Sequence, residues 1–446
     1  MSEHLVTFVH SFSGRFKTKT DDGADYAKLY LQGLVTQAPR KNMERIDEHL
    51  DSRCYQNVQQ FISDSPWDER PVYDAIALRA NARLGGRADS CLIIDESAHT
   101  KKGALSVGVA RQYNGRLGKQ DNCQVGVYSA LNCGTHTAII GTRLYLPDEW
   151  VQDKARCLKV GVPEAAITAR SKIDHAAALI DQAVEQGVDF ACIVFDAFYG
   201  RDSALRERIH QAGLIYCAEV PANINVFTHQ PEEQDRAKQT KADALSVSEL
   251  AAQMIKNTRN RVGVNLREGE RGMVQAEVWA QRVWVWPAGG ESREQWLLVR
   301  RLSDGEIKTC LCNAPATTTI KRMAQWQAAR FQIERAFQDA KSHLGMSDYQ
   351  SRGWRAWQHH MVLVAMALVF VTEERLLQQG GELELLSARD IIEMIDYCLI
   401  GPRTAQQVME QLNTRHARRR RDATNAQRRQ RKKLGLPKQR NSRRNT

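Results

Sequence analysis

Between residues 24 and 86 apolar positions recur at three- and four-residue steps: Tyr26, Leu29, Tyr30 and Leu34, then, after Pro39, Met43, Ile46 and Leu50. Few strong strand formers intervene, so this stretch predicts helices, closed by Gly85 and Gly86. The period then changes. Residues 91–94 form a short continuous apolar run ending in Asp95, the pattern of a strand covered on both faces. Residues 106–113, the turn pair Asn114 and Gly115, and residues 123–131 predict a hairpin. A helical pattern over 173–186 stops at Gly187, and a second apolar run, 190–195, again ends in an acid, Asp196. A helix over 203–212 and the run 214–220 complete the block. Three early strands with hairpin links, followed by strands alternating with helices, predict an α/β fold: a mixed sheet covered by helices.

From about 223 the texture becomes polar and helical, then aromatic and alternating (Val278, Trp279, Val283, Trp284, Val285, Trp286), which predicts a β-rich insertion over 223–320. Helical sequence returns over 323–378, and a last helix is expected from 388 to about 412. The expected division is a helical N-terminal domain (1–88), a core in two parts (89–222 and 321–386) separated by the insertion, a C-terminal helix (387–414) and a tail (415–446). The tail has almost no large apolar side chains beyond Leu434 and Leu436 and is expected to be disordered alone.

With 446 residues, 42% hydrophobic and 26% charged, the composition is globular and excludes collagen-like and wholly disordered classes. Charge changes the picture more. The net +11 is concentrated in residues 415–446, where 14 basic side chains face one acid, Asp422, leaving the body near neutral. A local polyanion contact follows. The longest apolar run, 361–371, is half of what a bilayer span needs, which predicts a buried helix and no membrane partner. Residues 1–15 lack the apolar stretch of a signal peptide, so a cytoplasmic, nucleoid-associated protein is expected, with its ten cysteines free and mostly buried.

Candidate chemistry begins with Asp95 and Asp196. A carboxylate at the end of a buried strand is costly unless it is paired or binds a cation; capping a helix is the plainer alternative. Arg330, Glu334 and Lys341 fall within about 40° of one helix face, which suits either a site or an exposed stabilising pair. His359 and His360 precede the buried run and suit helix-end or phosphate contacts better than a metal. Trp279, Trp284, Trp286 and Trp296 suit the insertion core better than stacking on bases, with Trp284 and Trp286 kept as stacking candidates.

At this point the chain resembles the DDE transposases of bacterial insertion sequences, in the group with a Y-x2-R-x3-E-x6-K signature. Arg330, Glu334 and Lys341 match R, E and K at the required spacing, while Gln327, beside Trp326, stands at the Tyr position. Similar stretches occur at 30–34, 65–67, 106–113, 122–127, 143–147 and 196–200. The sequence after Asp95, Glu96-Ser97-Ala98-His99, departs from the family's usual pattern. The resemblance implies an RNase H-like core whose three metal-binding acids map to Asp95, Asp196 and Glu334.

Three convergent carboxylates need cations to stay ionised together, and hard oxygen ligands suit two Mg²⁺ or Mn²⁺ ions. Arg330 and Lys341 are candidates for holding phosphates; Lys101, Lys102 and the tail residues Arg418, Arg419, Arg420 and Arg421 complete the DNA-binding set. The expected activity is cleavage at the terminal inverted repeats of a transposon and joining of the 3′-hydroxyl to target DNA, by a homodimer on double-stranded DNA. The helical N-terminal segment would read the DNA end or form the dimer contact. A nuclease of the same fold without strand transfer, and a DNA-binding protein that has lost its chemistry, are the rivals.

Overall fold

The computed structural model describes residues 1–401 apart from 20, 39, 116, 233–243, 270, 271, 287–290, 303 and 379–385, and in the tail residues 417, 420, 421, 424, 425, 428 and 429. Its centre is a mixed sheet. The first strands are β1 (Cys91–Thr100), β2 (Ala110–Asn114), β3 (Lys119–Cys133), β4 (His136–Leu144), β5 (Cys192–Phe195) and β6 (Tyr216–Glu219). The rest are β7 (Asn225–Phe227), β8 (Ala244–Ser246), β9 (Val262–Gly269), β10 (Gly272–Val285), β11 (Arg293–Leu302) and β12 (Ile307–Cys312). Their order is β2-β3-β1-β5-β6-β12-β11-β10-β7-β8, with β4 also on β3 and β9 also on β10.

Register places the chemistry. Antiparallel β3 flanks β1 on one side and parallel β5 on the other, with Ile94 opposite Phe195. β5 runs parallel to β6, with Phe195 opposite Ala218. One residue further along, Asp95, Asp196 and Glu219 therefore stand in a row across three adjacent strands, about 5 Å apart from strand to strand. The apolar runs behind them, Cys91 to Ile94 and Cys192 to Phe195, are fully buried, as strands covered on both faces must be.

The helices cover this sheet. The long helix Trp354–Gln378 is buried from Ala356 to Glu374 and packs on β4 and on helices Ala24–Leu34, Tyr55–Ser63 and Arg70–Leu84. Lys41 ties the N-terminal helices to the core, because its buried ammonium donates to the carbonyls of Leu34 (2.6 Å), Thr36 and His343, at the ends of two helices. Burial, only partly offset by Asp348, lowers its pKa to about 7. His359 and His360 belong to this core: His359 stacks on Trp67 with ring centroids 3.5 Å apart, and His360 meets the Tyr30 hydroxyl at 2.8 Å. Among the described residues no helix is long and apolar enough to cross a membrane.

Several expectations shift. β1 continues past Asp95 to Thr100 because β3 pairs with it throughout. β4, absent from the pattern reading, follows β3 through a two-residue turn in which Gly134 takes φ 58°. The expected strand at 106–113 is confined to Ala110–Asn114. The β-rich region does not form a sheet of its own; β12 pairs antiparallel with β6, so the central sheet runs on into it. A second apolar cluster around Trp279, Val247 and Leu297 fills its face. The 323–378 region comprises three helices, with Arg330 at the junction of Ile320–Ala329 and Phe331–His343. The last helix is Ala388–Leu399; its expected extension to 412 lies outside the described residues. The few described tail residues have helical backbone and exposed side chains, and most of the tail, on which the expectation of disorder falls, lies outside the described residues.

Candidate active site

The row of strand-end acids opens onto a cleft of about 1090 Å³, lined also by the Glu334 helix (Glu334, Gln338, Lys341) and by Tyr113 at the hairpin tip. Each acid is fixed by main-chain donors or by cations. Asp95 Oδ1 accepts from the Glu96 amide at 2.7 Å. Asp196 Oδ1 accepts from the Phe198 and Tyr199 amides at 3.0 and 3.3 Å, so this aspartate does cap the short helix Ala197–Gly200 while lining the cleft. The position of that helix is enforced at Gly200, where a Cβ would lie 1.8 Å from the carbonyl oxygen of Glu219. The glycine of the 196–200 motif thus brings Asp196 beside Glu219.

Arg330 stands between the acids. Its guanidinium reaches Asp95 Oδ2 at 3.4 Å and Glu219 Oε2 at 3.5 Å, and it bonds Glu334 Oε1 one helical turn on. Burial opposes its charge, but Glu219, Glu334 and Asp95 together outweigh that and hold its pKa above the ordinary value. The exposed helix pair weighed from the sequence is therefore a half-buried guanidinium bridging three carboxylates. Asp95 is 8% exposed, and desolvation, reinforced by Asp196, pushes its pKa up to about 8 against the pull of Arg330. Lys341 donates to the Ala98 carbonyl at 2.9 Å, bracing the Glu334 helix against β1. Glu96 pairs with Lys172 at 2.7 Å and accepts from the Tyr199 hydroxyl at 3.4 Å.

All five residues singled out around the signature, Asp95, Asp196, Arg330, Glu334 and Lys341, thus line one cleft. Glu219 was missed. Its signal was an acid inside the apolar run 214–220, the same strand-end pattern that marked the two aspartates. Lys101 and Lys102 lie in a neighbouring cleft instead. Trp279 is buried in the second core, and Trp284 and Trp286 are half-buried at the end of β10. Among the described residues, the exposed aromatic side chains on this cleft are Tyr113 (57%) and Phe198 (42%). Arg420 and Arg421 are exposed, while Arg418 and Arg419 lie outside the described residues.

A family model for the DDE superfamily endonucleases matches residues 11–272, more than half of the chain. The chain belongs to the DDE endonuclease superfamily. The matched span of this DDE protein carries Asp95, Asp196 and Glu219 and ends before Glu334. It is also 30% identical over 199 residues to a probable transposase for insertion sequence element IS701 from Microchaete diplosiphon, which bears out the resemblance read from the sequence. That match covers 44% of this chain and 48% of the relative, so the chain spans about half the length of the curated relative it matches. Among solved structures, the piggyBac transposase in a synaptic complex with hairpin DNA is similar at a TM-score of 0.43 and 10% identity, over 92% of this chain and 77% of that one.

The donor set suits hard divalent cations, being all carboxylate oxygen. Glu219 Oε1 is buried without a hydrogen-bond partner, with Arg300 and Lys308 at 3.9 and 3.8 Å. Among the described residues no three His, Cys, Asp or Glu side chains are gathered tightly enough to enclose an ion, and Arg330 lies between the acids. Binding a cation there requires the carboxylates to exchange partners with Arg330.

Proposed function

We propose that this DDE-superfamily protein is a DNA transposase that cleaves phosphodiester bonds at the terminal inverted repeats of its element and joins the exposed 3′-hydroxyl to target DNA. The observation that carries this reading is the convergence of Asp95, Asp196 and Glu334, from three separate stretches of chain, on one cleft, with the Arg330 guanidinium bridging Asp95 and Glu334. The strand pattern supports an RNase H-like core: antiparallel β1, β2 and β3 with parallel β5 and β6 beside β1.

Asp95, Asp196 and Glu334, with Glu219 adjacent, would hold two Mg²⁺ or Mn²⁺ ions. When bound, such ions stabilise the attacking and leaving oxygens of an in-line displacement. The protein's own groups do the rest. Main-chain amides of Glu96, Phe198 and Tyr199 fix the two aspartates. Arg330, released from the acids, offers a planar fork to a non-bridging phosphate oxygen, and Lys341 adds a point charge one step along β1. The two half-buried tryptophans at the end of β10 and the basic tail are assigned outer contacts with DNA, and a homodimer on DNA presents two such clefts to paired ends.

The test is nicking of supercoiled plasmid in Mg²⁺, followed by transfer of a duplex carrying a free 3′-hydroxyl. Asp196→Asn and Glu334→Gln are expected to abolish both while binding of duplex DNA survives. Nicking that persists in excess EDTA, or in either variant, overturns the reading.

A further inference from the structure

We infer that the cleft next to the catalytic one, between residues 100–106, residues 347–352 and Arg40, is a clamp for the phosphate backbone of duplex DNA flanking the cut. This inference rests on the reading of the catalytic cleft given above.

The first observation is charge. The cleft, about 670 Å³, gathers Arg40, Lys101, Lys102 and Arg352 against a single acid, Asp348. That acid is already engaged, because its Oδ2 accepts from the Lys41 amide at 2.9 Å. Arg40, Lys102 and Arg352 are exposed, and among the described residues none of them forms an ion pair. By contrast, Arg79 and Arg301 are matched by carboxylates at 2.6 and 2.5 Å. Like charges gathered in a concavity without counter-ions repel one another and raise the local concentration of a polyanion. Arginine and lysine together suit phosphate oxygens.

The second observation is preorganisation. Lys101 is the anchor, with its ammonium 3.2 Å from the Tyr349 carbonyl and 3.4 Å from the centre of the Tyr349 ring. Asn122 donates to the carbonyls of Lys101 and Gly103 at 2.6 and 3.2 Å. Gln124 donates to the Val107 carbonyl at 2.6 Å and accepts from the Tyr349 hydroxyl at 2.6 Å. The Val107 amide in turn donates to the Arg352 carbonyl at 2.9 Å, which ties the two walls together. The 122–127 stretch, which contributes nothing to the catalytic cleft, is therefore scaffolding for this basic one. A loop ordered in advance loses little entropy when it grips a ligand.

The third observation is position. Ala98 lines the catalytic cleft and Thr100 lines this one, two residues along the same strand and about 7 Å apart. From Asp95 to Thr100 is about 17 Å of strand, the rise of about five base pairs of duplex. Lys341, bonded to the Ala98 carbonyl, lies between. Arg330, Lys341 and then Lys102 with Arg352 and Arg40 make one track of cations leading away from the acids.

The test neutralises two of the exposed cations together, Arg40→Gln and Arg352→Gln, in the full chain. Affinity for a random-sequence duplex is measured between about 50 and 200 mM salt, with plasmid nicking followed at saturating protein. Each phosphate contact contributes about 0.9 to the slope of log affinity on log salt, so the slope should fall by about two. Nicking at saturation should stay within about two-fold of the wild type. A slope unchanged to within about half a unit overturns the clamp. Nicking lost at saturation overturns it too, because the two residues would then act on the reaction. A wild-type chain that binds duplex but never nicks sinks the catalytic reading instead, and the salt slope remains readable.

Discussion

Replacing Asp95 by Asn should stabilise the metal-free protein while abolishing its activity. The carboxyl is buried among apolar strand residues and beside Asp196, and its pKa moves from 3.8 to about 8. Between these values the folded state holds a proton that the unfolded state has lost. Wild-type stability therefore falls as pH rises through that window and levels off above about pH 8. At about 1.4 kcal/mol per pH decade the cost is at most about 6 kcal/mol. The cleft opens to water, where the effective dielectric is about 20, so a gain of about 2 kcal/mol at pH 8 is the working figure. Asn keeps the volume and carries no charge, and Arg330 retains Glu219 and Glu334.

Urea melts of both proteins at pH 4, 6 and 8 in EDTA give the test, with midpoints compared at constant m. The two should coincide near pH 4 and diverge as pH rises, with the variant the more stable at pH 8. Added Mg²⁺ should narrow the gap at pH 8, because a cation bound only by the native wild type stabilises it by about 2.7 kcal/mol at a hundredfold excess over Kd. If the variant is the weaker protein at pH 8 without metal, or if the gap is the same at every pH, the carboxyl is not held under electrostatic tension and the argument fails.

Glu219→Gln should cut Mg²⁺-dependent nicking at least tenfold with little change in duplex affinity; full activity would remove it from the acid row. Gln327, at the position of the family's Tyr, is buried with neither side-chain polar atom bonded, so Gln327→Leu should raise stability by about 1–2 kcal/mol in a denaturant titration. Gly200→Val should push the Asp196 turn off the Glu219 carbonyl and cost activity together with about 2–4 kcal/mol of stability, whereas unchanged nicking would show that the close approach is dispensable. Deleting 415–446 should flatten the salt dependence of duplex binding by several units and leave discrimination between terminal-repeat and random DNA intact.

The two aspartates were legible because a continuous apolar run ending in an acid has few bland explanations, and the register of β1 against β5 brings both runs to the same level. Glu219 follows the same rule but has the apolar Val220 beyond it, so the acid reads as an interruption of the run. β4 was illegible for a related reason: its apolar run is only residues 138–140, followed by Gly141, which has no side chain to complete an alternation and which packs against Ser129 and Leu179. The union of the core sheet with the β-rich region depends on β12 meeting β6, a contact across about ninety residues that no local period encodes. Spacing placed Arg330, Glu334 and Lys341 on one face correctly, although the helix begins only at Phe331. What spacing could not tell is that Arg330 is half-buried among carboxylates, because that depends on which strands face it.

Arg330 also explains why the third acid belongs on a helix. The acids at the ends of β1, β5 and β6 are held at strand spacing by the sheet. Glu334, on the exposed flank of its helix, can change partner by a rotamer step without disturbing the core. If the site holds cations as proposed, rigid acids on the sheet and a movable one on the helix would let them take the place that Arg330 occupies between Asp95 and Glu334. Arg330 would then be available to a phosphate oxygen, and Lys341, braced on the Ala98 carbonyl, would hold the Glu334 helix in place.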